Sequence, residues 1–120
     1  MKVAFDIDDT LIIPSVALEG EYYKRTSPHD VPNYETIAIF KWFQSLGCIM
    51  VLWSGGGVDY AQMWGDKLGL EPFIVLTKEK QDDVDIAFDD CDVDLAKVNI
   101  KVKRINNSVS RAEWNEHKTT

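Results

Sequence analysis

Asp6 and Asp8 stand two positions apart where a short apolar run, Val3-Ala4-Phe5, meets the acidic segment Asp6-Ile7-Asp8-Asp9-Thr10. On an extended chain a period of two points both carboxylates the same way. Acids so placed can divide the labour of a reaction, one attacking an electrophile while the other moves protons. A hydroxyl, Ser54, closes a second apolar run, CIMVLW, and leads into Gly55-Gly56-Gly57. A second acidic pair, Asp89-Asp90, closes a third run, in the segment DIAFDD. Lys78 and Lys80 precede it in a charged loop. Taken singly, each has a plainer reading. An Asp-rich turn is a solvated turn or a helix cap, a Ser before glycines opens a turn or caps the next helix, and loop lysines are solvated charges. Position at the ends of apolar runs is what sets these groups apart.

The elements that must position them follow from periodicity. Residues 2–7 read as a buried strand that ends at a polar edge. Pro14, Gly20, Ser27-Pro28 and Val31-Pro32-Asn33 punctuate residues 14–33, a long loop or flap with room for one helical turn at 16–23. Asn33 is a candidate N-cap for a helix over 34–46, where Ile37, Phe40, Phe43 and Leu46 recur at helical spacing, joined by Ile39 and Trp42. Gly47 is its stop. Residues 48–53 are apolar throughout, as in a strand covered on both faces of a parallel sheet. A helix over 58–68 presents Val58, Ala61, Trp64 and Leu68, and Gly69 ends it. Strands at 73–76, 84–88 and 98–105 follow, with a helical turn at 92–97. The polar residues 106–120 read as a tail. Strands alternating with helices imply an α/β layered fold with a mainly parallel sheet. Such sheets bind ligands beyond the carboxyl ends of their strands. Asp6, Ser54 and Asp89-Asp90 should therefore meet at one edge.

Composition narrows the function classes. A chain of 120 residues with 45% hydrophobic side chains suits one core, assigned to residues 1–105. The 20 acidic and 13 basic residues give a formal charge of -7, which argues against an extended nucleic-acid surface. Cys48 and Cys91 lie far apart and, with two histidines, make no zinc site. A reduced, cytoplasmic setting is the simplest reading. The first residues lack the apolar core of a signal peptide, and no apolar stretch reaches the roughly 20 residues needed to span a bilayer. Trp42, Trp53 and Trp64 read as packing residues. Asp9, Asp92 and Asp94 read as surface charges or caps, and His29 and His117 as exposed loop residues.

The order of these motifs resembles the haloacid dehalogenase-like superfamily over residues 2–104. Asp6-Ile7-Asp8-Asp9-Thr10 is similar to its first motif, Ser54 to its second, Lys78 or Lys80 to its third and Asp89-Asp90 to its fourth. Asp9 stands where many relatives carry glycine. The resemblance implies a Rossmann-like three-layer sandwich and a magnesium-dependent phosphatase. It gives Asp6 the role of nucleophile, forming an aspartyl-phosphate, and Asp8 that of general acid and base. It puts Ser54, the Gly55 backbone and one lysine on the phosphoryl group. Lys78 is favoured because it directly follows a strand. It assigns Mg2+ to the Asp6 carboxylate, the Asp8 carbonyl and an acid of the Asp89-Asp90 pair, Asp90 being favoured as the direct ligand and Asp89 direct or bridged by water, with the choice between the two left open. Relatives that cleave carbon–halogen bonds lack the acid at the position of Asp8, so phosphate esters are the expected substrates. The stretches between Asp8 and Ser54, and between Ser54 and Asp89, are too short for a folded cap. A capless site suits a bulky phosphorylated substrate, such as a macromolecular end or a glycoconjugate intermediate, or is covered by a second copy of the chain. A receiver-like phosphoacceptor and a catalytically silent binding module are the alternatives. Receivers carry their acidic pair first and their acceptor Asp mid-chain, the reverse of the order here.

Overall fold

The apolar runs of the sequence become the strands of a parallel sheet. A computed structural model describes residues 1–14 and 30–105. Its elements are β1 (Lys2–Phe5), β2 (Ile12–Ile13), β3 (Val31–Pro32), α1 (Tyr34–Ser45), β4 (Ile49–Leu52), α2 (Val58–Lys67), β5 (Ile74–Val75), β6 (Ile86–Asp89) and β7 (Val98–Lys101). Five strands form one sheet in the order β5-β4-β1-β6-β7, every neighbouring pair parallel. Phe5 is level with Leu52 on one side and Phe88 on the other. The ladders run one step further, Asp6 N–H donating to Phe88 O at 3.0 Å and Trp53 N–H to Phe5 O at 3.2 Å. Asp6, Ser54 and Asp89 thus leave the sheet at the same edge.

Alternation along the strands sorts the core into two faces. Val3, Phe5, Met50, Leu52 and Phe88 pack with Ile37 and Phe40 of α1 and with Tyr60, Ala61 and Trp64 of α2. Ala4, Val51, Trp53 and Ala87 pack on the other side with Val84 and Ala96, flanked by Leu76 and Leu95. Both helices therefore share one face. Topology accounts for this: β1-α1-β4 and β4-α2-β5 step the same way across the sheet, and right-handed crossovers put both helices on the same side. The chain then reverses, passing from β5 to β6 on the opposite face without a helix. The α/β expectation holds, with a mainly parallel sheet. The second helical layer of the expected sandwich is not present among the described residues, where loops cover that face.

Other expectations are corrected in detail. The 14–33 stretch is not wholly irregular, because β2 and β3 pair antiparallel at its base. Asn33 occupies the N-cap position of α1 without a side-chain cap. Its amide instead donates to Thr10 O at 3.1 Å, tying α1 to the acidic segment. No helical turn forms at 92–97. Asn99 Oδ1 accepts the N–H groups of Leu95 and Ala96 (2.9 and 3.1 Å) and so supplies from a side chain what a helix would supply from its backbone. Trp42 is 58% exposed, and Ile39, Leu46 and Val58 are exposed too, so the buried stripes are narrower than the sequence implied. The final strand stops at Lys101, and all four residues of β7 are exposed. The helical turn at 16–23, His29, His117 and the 106–120 tail lie outside the described residues.

Candidate active site

After β1 the chain turns rather than staying extended. The Ile7 carbonyl accepts N–H groups from Thr10, Leu11 and Ile12, at 3.2, 2.9 and 3.1 Å. Asp9 takes φ +62° and is buried, contrary to its reading as a surface charge. That left-handed conformation is the one glycine adopts at least cost. The turn opens at Ile7, with Asp8 inside it, and the two acids find different partners, Lys78 for Asp6 and Tyr60 for Asp8.

Asp6 is buried beside β6. Lys78 Nζ donates to Asp6 Oδ1 at 3.1 Å and lies 2.6 Å from Asp89 Oδ2, so one ammonium is shared by the two carboxylates. Thr10 Oγ1 donates more weakly to Asp6 Oδ2, at 3.4 Å. Asp89 is fully buried, and its Oδ1 accepts the Cys91 N–H at 2.9 Å. Asp90 Oδ2 accepts from Arg104 Nε at 2.8 Å. The Arg104 guanidinium also lies 3.6 Å from Cys91 Sγ. Asp8 Oδ1 accepts a short 2.6 Å hydrogen bond from the Tyr60 hydroxyl.

Burial, with the negative charges of Asp89 and Asp90, holds the Asp6 carboxyl well above the ordinary carboxylate range, and Lys78 only partly offsets it. Burial likewise raises Asp89 against the pull of Lys78. Burial would strip Lys78 of its proton, yet Asp6 and Asp89 outweigh it and keep the ammonium charged. Burial and the nearby carboxylates push the Cys91 thiol up, which makes it a poor nucleophile.

The sequence-predicted residues separate into two groups. Asp6, Asp89 and Lys78 form one connected cluster, with Asp90 close enough to act on Asp6. Ser54 is buried at the end of β4, where its Oγ accepts the Gly56 N–H at 3.0 Å. It thus serves the turn, while its proton stays available to donate. Gly55 is exposed in that turn. Lys80 is drawn instead to Asp94 at 3.0 Å with a side chain 62% exposed, apart from the cluster that Lys78 joins.

Asp89, Asp90 and Cys91 offer ligand atoms within 4.8 Å of one another. Buried carboxylate oxygens are the donor chemistry that small hard cations take, and Asp89 Oδ2 is a buried acceptor 2.6 Å from the Lys78 ammonium. The two carboxylates and the thiol could hold a metal ion.

Tyr60 and Arg104 were not found by sequence reasoning. Signals for both existed. Tyr60 falls in the first turn of a helix that starts just past Ser54, and Arg104 follows a strand parallel to β6, so both had to lie at the same edge. No model of a known protein family matches the chain, and no curated protein matches it.

Proposed function

We propose that this chain is a magnesium-dependent phosphomonoester hydrolase of haloacid dehalogenase type, with Asp6 as nucleophile. The observation that carries the reading is the Lys78 ammonium shared by Asp6 and Asp89 at the carboxyl edge of β1 and β6. That edge is also where the strand order reverses direction, the position at which open α/β sheets bind ligands.

In this reading an Asp6 carboxylate oxygen attacks phosphorus in line, and the ester P–O bond breaks. Asp8 gives a proton to the departing oxygen, then takes one from the water that hydrolyses the aspartyl-phosphate. Lys78 fixes Asp6 and offsets charge on the phosphoryl oxygens, and Ser54 donates its hydroxyl to one of them. Asp6, Asp89 and Asp90 would hold Mg2+, with the Asp8 carbonyl completing the protein's share. The ion would supply charge neutralisation between an anionic nucleophile and an anionic ester.

Phosphate release from an activated aryl phosphate, with and without Mg2+, tests the proposal. Wild type turns over only with the ion, and Asp6→Asn loses turnover. Asp8→Asn slows turnover while Mg2+ affinity, read by calorimetry, stays near the wild-type value. Self-phosphorylation from a small phosphodonor without turnover would indicate a receiver-like phosphoacceptor. A Mg2+-dependent rise in melting temperature without either reaction would indicate a silent binding module.

A further inference from the structure

We propose that Arg104 is a positioning residue for Asp90, holding that carboxylate in place for a divalent ion. The inference rests on the metal site of the phosphatase reading and adds to it a support from the chain beyond β7. Arg104 Nε donates to Asp90 Oδ2 at 2.8 Å, and the two side chains are 20% and 4% exposed. Such charge-assisted bonds are roughly twice as strong as neutral ones. Arg104 Nη2 lies 3.6 Å from Cys91 Sγ, so one planar edge meets the two residues that follow β6.

The sheet brings the pair together. Its last rung between β6 and β7 sets Asp89 level with Lys101, and Val102 N–H donates to Asp89 O at 2.7 Å. Among the described residues the ladder goes no further, so side-chain contacts set the Asp90 carboxylate. Those rungs also carry the chain after β7 alongside Asp90, within reach of Arg104. Asp90 stands close enough to Asp6 to act on its carboxyl, and acids drawn together repel unless each is held. Lys78 holds Asp6 and Asp89, and Arg104 holds Asp90.

A cation beside a metal ligand acts in two opposed ways. Its charge repels the ion, so its removal tightens binding. Its hydrogen bond steadies the ligand, so its removal weakens binding. The burial of Asp90 favours the second, because losing the partner that orients a metal ligand typically costs about tenfold or more in affinity.

Calorimetric titration of the whole chain with Mg2+ reads the effect without turnover. Arg104→Met should weaken binding about tenfold. Arg104→Lys keeps the charge but loses the planar edge, and should also weaken it, by less. Lys103→Met, which removes an exposed charge one residue away, should leave affinity near the wild-type value. Arg104 has further contacts, so a double-mutant cycle isolates this one. In an Asp90→Asn background, the rise in melting temperature on adding Mg2+ should be the same with and without Arg104→Met. Unchanged or tighter binding in Arg104→Met overturns the inference, as does an equal loss in Lys103→Met or a further loss in the Asp90→Asn background. If Arg104→Met fails to fold, Arg104→Lys decides, and wild-type affinity there overturns it. Failure of both to fold makes the role structural and overturns it too. If wild type binds no Mg2+, the metal site falls and this inference falls with it. If wild type binds Mg2+ but hydrolyses no phosphate ester, the phosphatase reading falls, and the titrations still decide the role of Arg104.

Discussion

Lys78 sits between two buried acids, and its removal has consequences beyond charge count. Lys78→Met would leave Asp6 and Asp89 without their shared cation, and breaking a buried ion pair from one side costs about 3–5 kcal/mol. Urea unfolding at neutral pH measures the loss. Lys80→Ala, which removes an exposed pair with Asp94, should leave stability and turnover close to wild type. The raised carboxyls predict a pH dependence. Folding raises the proton affinity of Asp6 and Asp89, so the folded state binds more protons than the unfolded one above the ordinary carboxylate range of about 4. Stability of the metal-free protein therefore falls as pH rises from there through the raised values. Mg2+ should flatten the decline. Melting temperatures across pH, with chelator and with Mg2+, check the sign, and a metal-free protein that grows steadily more stable over that interval contradicts it. At this scale the sequence was legible where a residue's place at a strand end dictated its partners, as for Asp6 and Asp89, while Lys78 and Lys80 stayed alternatives. Where a partner came from a different element, the sequence carried only its place near the carboxyl edge of the sheet and no motif to single it out. Tyr60 reads as one more helix residue, and Arg104 as one more basic residue in a lysine-rich segment.

Among the elements, α2 shows how closely a helix must approach the strands it connects. A Cβ on Gly65 would lie 2.6 Å from a Leu52 methyl and would overlap the Phe73 ring. Glycine costs a helix interior up to about 1 kcal/mol of propensity, so its place here is set by packing. Gly65→Ala should destabilise by about 1–3 kcal/mol, the usual range for overpacking, despite the better helix former. Thermal unfolding measures this, and a gain in stability would mean that α2 sits farther from β4 and β5. The long elements were readable because each carries its own signal. Six consecutive apolar residues made β4, and apolar spacing followed by a glycine made α1 and α2, with Gly47 (φ +83°) and Gly69 (φ +66°) ending them as expected. The β2–β3 pair has two residues per strand, too few for a period to show. The 92–97 stretch was misread because the spacing could not reveal that Asn99 folds back onto it.

At the scale of the molecule, the two-face division of the core explains why the site lies where it does. Successive crossovers in one direction, then a single reversal, put the switch point of the strand order between β1 and β6, and the acidic residues stand at the ends of those two strands. None of the described helices is long and apolar enough to cross a membrane. The far side of the sheet presents a different problem. Among the described residues β7 pairs only with β6, and Val98 and Ile100 are 52% and 39% exposed. An open margin with apolar side chains invites a strand from another copy to add on. Lys101, which pairs with Asp92 at 3.2 Å, and Lys103 are both exposed there, so two copies aligning margin to margin would bring ammonium groups together. Replacing both with threonine should hasten light scattering on mild warming. The cations of β7 and its extension then act as gatekeepers that keep this sheet from templating its own growth.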